Sequence, residues 1–126
     1  MPKIESGIAI PQVFLDGPVD RDLIRKCLEK AEAQSFSSAW VQETIVSPFS
    51  ILEPVSLLAY AAALTDDLRL GSSVLLTTLR NPVQLAKALS SIDHLCAGRL
   101  DVGIGTGGHI SESIFGYSTE RRIRRF

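Results

Sequence analysis

Apolar and polar positions along the chain follow two alternating rhythms. Residues 4–10 interleave Ile with small residues up to Pro11, which predicts a first strand. From Pro18 to Ser35 the apolar residues Leu23, Ile24, Cys27, Leu28 and Ala31 recur at helical spacing, and Asp20 or Asp22 stands where a cap is needed. Residues 39–42 (AWVQ) form a short second strand, followed by a polar loop carrying Pro48. Pro54 falls in the first turn of a helix predicted over 53–64. A third strand spans 68–76, rich in Leu and Val and apolar on both faces, as suits a parallel strand covered by helices. Asn81 and Pro82 then open a helix that runs to about Cys96 and ends at Gly98. A fourth strand covers 100–104, a glycine turn follows it, and Ser118 or Thr119 caps a last helix, 120–126, inside which the chain stops.

The order βαβαβαβα, in units of roughly thirty residues, predicts an α/β fold with right-handed crossovers and a parallel sheet. Two architectures satisfy it. One is an open doubly wound sheet, for which a finished last helix is expected. The other is a (β/α)8 TIM barrel, which needs about 250 residues, so that residues 1–126 would supply the first four βα units.

Composition narrows the function classes. A hydrophobic share of 45% with 21% charged residues fits a folded globular domain and excludes a disordered chain. The net charge of −1 points to neither nucleic acid nor an anionic membrane. No apolar run marks a leader or a membrane span, and a cytoplasmic protein is expected. Cys27 and Cys96 read as reduced core thiols, and no His or Cys stands at ligand spacing, so no metal site is expected.

Ligands of parallel α/β folds bind outside the carboxyl ends of the strands. Those ends carry Pro11-Gln12, Glu43-Thr44, the stretch from Ser72 onward, and Gly105 to Gly108. Gly103, Gly105 and Gly108 fit G-x-G-x-x-G, but a dinucleotide fingerprint belongs on the first βα turn and runs straight into a helix. What remains is a glycine turn whose backbone can approach a flat ring or a phosphate, or simply a tight turn. Glu43 either orients a ligand or is a paired charge at the rim. His94 reads as a surface or packing residue, whereas His109 lies on the presumed ligand face. Arg121, Arg122, Arg124 and Arg125 read as solvated helix positions, one of them able to reach a cofactor phosphate.

Taken together, LRLGSSV (68–74), LRNPVQLA (79–86), Ile92-Asp93, GRLDVGIG (98–105) and Phe115-Gly116 resemble the bacterial luciferase-like monooxygenase family, with WVQE (40–43), LLAY (57–60) and ERR (120–122) fitting the same register. The resemblance is greatest to members that use the deazaflavin F420, and FMN users share the pattern. It implies an oxidoreductase that moves a hydride between the ring and a small-molecule substrate. It also implies a cis peptide at Ser73–Val74 beneath the ring, a lining of Gly105, Thr106 and Gly107, and Glu43 and Thr44 facing the ring. A homodimer through the second and third helices follows as well. The chain departs from many members, which carry Glu-His where it has Glu43-Thr44, so no imidazole is available there for acid–base work. It is also shorter than the family: strands five to eight are missing. Taken alone, the half barrel is expected to be inactive and to self-associate through its open edges.

Overall fold

A computed structural model describes residues 4–107 and 114–116. The elements in chain order are β1 (Gly7–Ala9), β2 (Val13–Phe14), α1 (Arg21–Ala33), β3 (Ser38–Val41), β4 (Ser50–Ile51), α2 (Pro54–Ala62), β5 (Arg69–Leu76), a 3-10 turn (Thr77–Leu79), α3 (Pro82–Leu95) and β6 (Leu100–Gly105). The helix bounds follow from local chemistry. Asp20 accepts from the Leu23 N–H at 2.9 Å, Glu53 accepts from the Ser56 N–H at 2.7 Å ahead of Pro54, and Asn81 caps Val83 and Gln84 ahead of Pro82. α3 stops where Ala97 and Gly98 turn left-handed, with φ of +53° and +77°.

The four main strands pair in the order β1-β3-β5-β6, all parallel. Spatial order follows chain order without the reversal that a doubly wound sheet requires. Coverage is one-sided too: Ile24 and Leu28 of α1, Leu57 and Leu58 of α2, and Ile92 of α3 join Ala39, Val41 and Leu70 of the strands in one core. Strand neighbours in sequence order with helices on one face are the βα units of a (β/α)8 barrel, and the open-sheet alternative falls away.

Four expectations change. Only Gly7–Ala9 pairs as β1, and Ile4 is exposed. Leu23 leaves the α1 stripe for solvent, while Ile24, Leu28 and Ala31 keep it. β5 is not apolar on both faces: Leu70 joins the core beneath the helices, whereas Gly71 packs against Trp40 and both Ser73 and Val74 are exposed. A two-stranded antiparallel ribbon of β2 and β4 occupies what reads in sequence as loop. The predicted helix over 120–126, His109 and the four arginines lie outside the described residues.

The amino-end rim is tied by side chains. Glu32 Oε1 accepts from the N–H groups of Asp66, Asp67 and Leu68 at 2.9, 2.8 and 3.1 Å, and Arg99 donates to the Thr65 carbonyl at 2.6 Å and to the Leu68 carbonyl. Cys96 is buried and Cys27 half-buried, where burial pushes its thiol pKa up. His94 is exposed in the last turn of α3. Among the described residues no helix is long and apolar enough to cross a membrane, and no group of His, Cys, Asp and Glu could hold a metal.

Candidate functional site

The opposite rim, at the carboxyl ends of the strands, gathers the unusual polar groups. Just past β1, the buried Gln12 donates to the carbonyls of Gln42 and Leu52, both at 2.7 Å, and accepts from the Gln42 N–H at 2.9 Å. One amide thus locks the ends of β1 and β3 to the residue that follows β4.

Past β3, the Glu43 side chain is 1% exposed. Its carboxylate accepts from the Leu76 N–H at the end of β5 and from Arg80, whose Nε lies 3.1 and 3.4 Å from the two oxygens and whose Nη2 also bonds Oε1. The same Nη2 reaches Glu53 Oε1 at 2.6 Å. Burial works against the Arg80 charge, but its hydrogen bonds to Glu43 and Glu53 outweigh this and raise its pKa. Burial likewise opposes ionisation of Glu53, yet the Ser56 N–H and Arg80 hold its carboxyl below the ordinary range. A buried carboxylate persists only when paired and hydrogen-bonded, and Glu43 is both. Its geometry is that of a brace.

Thr44 is exposed and lines a cleft of about 340 Å³ together with Glu43, Ile45, Ile51, Leu79 and Phe115. Glu53, Pro54 and Arg80 complete its lining, so the bonded group Glu43–Arg80–Glu53 borders the cleft.

The second part of the site lies on the inner face of the sheet. The peptide between Ser73 and Val74 is cis, where the family resemblance puts it. Val74 is 38% exposed and stands over the two glycines of β6: a β-carbon at 105 would lie 2.7 Å from Val74 Cγ2, and one at 103 would lie 3.3 Å from Cγ1 and collide with the Ser72 carbonyl. Glycine at both positions leaves room for Val74 and the Ser72 carbonyl. Ser72 Oγ donates to the Gly103 carbonyl at 3.0 Å, and Thr78 Oγ1 donates to the Thr106 carbonyl at 3.0 Å, fixing the turn that continues to Gly107 at φ +76°. Lower on the same face, Trp40 lies across Gly7 and Gly71, with its indole N–H donating to Ser38 Oγ at 2.8 Å.

The structure therefore brings Val74, Gly103 and Gly105 into one surface, with Ser73 beside it and Thr106 and Gly107 in the turn beyond. It places Glu43 and Thr44 on the neighbouring cleft and joins the two parts through Leu76. Sequence reasoning gave Arg80 no role. Its signal was a cation immediately before the Asn81 cap, but the partner that gives it meaning lies 37 positions away.

The sequence model of the luciferase-like monooxygenase family matches residues 7–126. Among curated proteins, the chain is 35% identical over 103 residues to an F420-dependent glucose-6-phosphate dehydrogenase of Kineococcus radiotolerans, covering 77% of this chain and 30% of that protein. It is 34% identical over 89 residues to an uncharacterized protein of Sinorhizobium fredii, covering 68% and 25%. Among solved structures it is similar to the monooxygenase RslO1 of Streptomyces bottropensis, with TM-score 0.80, 26% identity and coverage of 98% and 40%. The oxygenating constituent of 3,6-diketocamphane monooxygenase of Pseudomonas putida, in complex with FMN, gives TM-score 0.78, 22% identity and coverage of 93% and 34%. The chain spans less than half the length of each of these relatives.

Proposed function

The chain belongs to the luciferase-like monooxygenase family, and on that premise we propose that the protein is an oxidoreductase that binds a flavin-type ring at the carboxyl ends of its strands and acts on a small-molecule substrate. One observation carries the reading: the exposed Val74, seated on Gly103 and Gly105 at the inner face of the sheet. A planar ring needs close contact over a broad area, and the absent β-carbons let Val74 settle against β6, half-exposed, where a ring can rest on it. The residues present fit such a group.

The ring that we propose is F420, with FMN as the alternative. The F420-dependent curated relatives are more similar in sequence to this chain than the FMN-bound structure is. When bound, such a ring supplies the hydride chemistry. The chain supplies the surface and the orientation: Ser73 and Val74 carry the ring, and Gly105, Thr106 and Gly107 line its edge. Glu43 acts as a brace, because its oxygens are committed to Leu76 and Arg80. Thr44, exposed at the cleft, offers a hydroxyl to the substrate as donor or acceptor. Without the imidazole that many members carry beside this glutamate, the described residues present no neutral-pH acid or base at that point. We read residues 1–126 as the N-terminal half of such a barrel.

A second reading concerns assembly. α3 buries only Ile92 and leaves Val83 and Leu95 more than two-thirds exposed, at 76% and 70%. This supports a homodimer through α2 and α3, and also self-association of the half barrel taken alone, without activity.

The test is titration of the full-length protein with reduced F420 and, separately, with FMN. Saturable binding of F420 in preference to FMN is expected. Binding of neither ring refutes the proposal.

A further inference from the structure

The ring surface is weakly held by the sheet itself. The β3–β5 ladder ends at the pair Val41↔Ser72, and the β5–β6 ladder is irregular between Ser72 and Leu75, the stretch that contains Val74. On the β6 side, Ser72 and Thr78 restore the tie through their bonds to Gly103 and Thr106. On the β3 side, the tie past the last ladder pair is the Glu43 carboxylate, which takes the Leu76 N–H two residues after Val74. That carboxylate is itself fixed by Arg80, and Arg80 is shared with Glu53, the residue that caps α2.

From this chain of contacts we infer that Arg80 is a positioning residue for the ring surface, acting through Glu43 on the Leu76 N–H and so on the placement of Val74. Arg80 suits the task because a guanidinium can bond both Glu43 oxygens and still give an N–H to Glu53. A lysine offers the charge without the fork. Without a cation, Glu43 is a buried charge with a single N–H to satisfy it, and the end of β5 loses its fixed distance from β3. The inference rests on the reading that this surface carries the ring.

The test uses the full-length protein, with FMN and reduced F420 as probes, and reads the dissociation constant alongside the melting temperature. Arg80→Gln is expected to weaken ring binding by roughly tenfold or more, a part of the roughly hundredfold that an ångström of misplacement can cost a reaction rate. Arg80→Lys should recover part of the loss. The double variant Glu43→Gln/Arg80→Gln should bind within about threefold of the weaker single variant, because both act along one path. Arg99→Gln, on the opposite rim, should lower the melting temperature and leave ring affinity unchanged. Arg80→Gln binding as tightly as wild type overturns the inference, as does a loss no greater than that of Arg99→Gln at the same melting temperature. If Arg80→Gln does not fold, undiminished affinity in Arg80→Lys overturns it equally. A wild-type protein that binds neither ring removes the reading and the inference together, whereas a binding wild type with an indifferent Arg80 removes the inference alone.

Discussion

Replacing Gly105 by alanine adds one methyl group to the surface proposed to carry the ring. That carbon would sit 2.7 Å from Val74 Cγ2, and carbon atoms rest at about 3.5–4.0 Å, so Val74 must give way by roughly an ångström. Valine is stiff about χ1, and pushing it some 30° off a rotamer costs about 0.5–1.5 kcal/mol. The backbone at 105 is outside the left-handed region, so alanine brings no backbone strain and recovers about 0.4–1 kcal/mol of unfolded-state entropy. The net cost to folding is therefore small, about 1 kcal/mol or less. Ring binding suffers more, because both the methyl and the displaced Val74 protrude from a surface that must be flat. A loss of about 1.4 kcal/mol, tenfold in the dissociation constant, is the least expected. Gly98→Ala is the control. It sits at φ +77° with nothing within 4 Å, so its cost is the left-handed backbone, about 1–2 kcal/mol. Fluorescence titration and thermal melting of both variants separate the effects. Gly98→Ala should melt lower and bind normally, whereas Gly105→Ala should melt nearly as wild type and bind weakly. Wild-type affinity in Gly105→Ala would show that the ring does not rest on this surface.

Three further outcomes are expected. Gln12→Ala strands the N–H and carbonyl of Gln42 and the Leu52 carbonyl, and denaturant unfolding should report a loss of about 2–3 kcal/mol; a loss near zero would mean that water replaces the amide. At Glu32, burial opposes the charge, but the N–H groups of Asp67, Leu68 and Asp66 and the Arg99 charge lower its pKa, so its contribution is present above the unfolded carboxyl value of about 4.3 and is lost as pH falls through the lower folded value. Glu32→Gln should cost about 1 kcal/mol at neutral pH, a figure reduced for solvent exposure, and should flatten the acid limb of the stability curve; an unchanged limb would exclude Glu32 as its source. The proposed homodimer predicts that Val83→Glu, at an exposed apolar position of α3, leaves the full-length protein monomeric in sedimentation without lowering its melting temperature, and a mass equal to that of wild type would refute a dimer contact at Val83.

What could be read along the chain was whatever depends on near neighbours. The caps at Asp20 and Asn81, the first-turn prolines at 54 and 82 and the stop at Gly98 act within one helical turn, so their residues declare them. The order of strands and helices was legible for the same reason. Two architectures shared that order, and the choice between them needed the sheet: sequential neighbours with helices on one face. The β2–β4 ribbon stayed hidden because two-residue strands have no period to detect.

The same divide runs through the site. Glycines at 103 and 105 marked a place of close approach, which Val74 fills, and the cis peptide at Ser73–Val74 matches the position that the family pattern implied. The residue pattern alone left Glu43 open between ligand group and brace, since its chemistry depends on what faces it. Leu76 lies 33 positions away and Arg80 37. Which strand ends meet, and at what height, is fixed by register across a parallel sheet, and register is set by the packing of whole strands and helices. Sequence by itself determined the family, the units and the glycine turn after the fourth strand. Tertiary structure decided that Glu43 and Arg80 close on each other behind that surface, because a buried ion pair exists only once both partners have been brought out of water together.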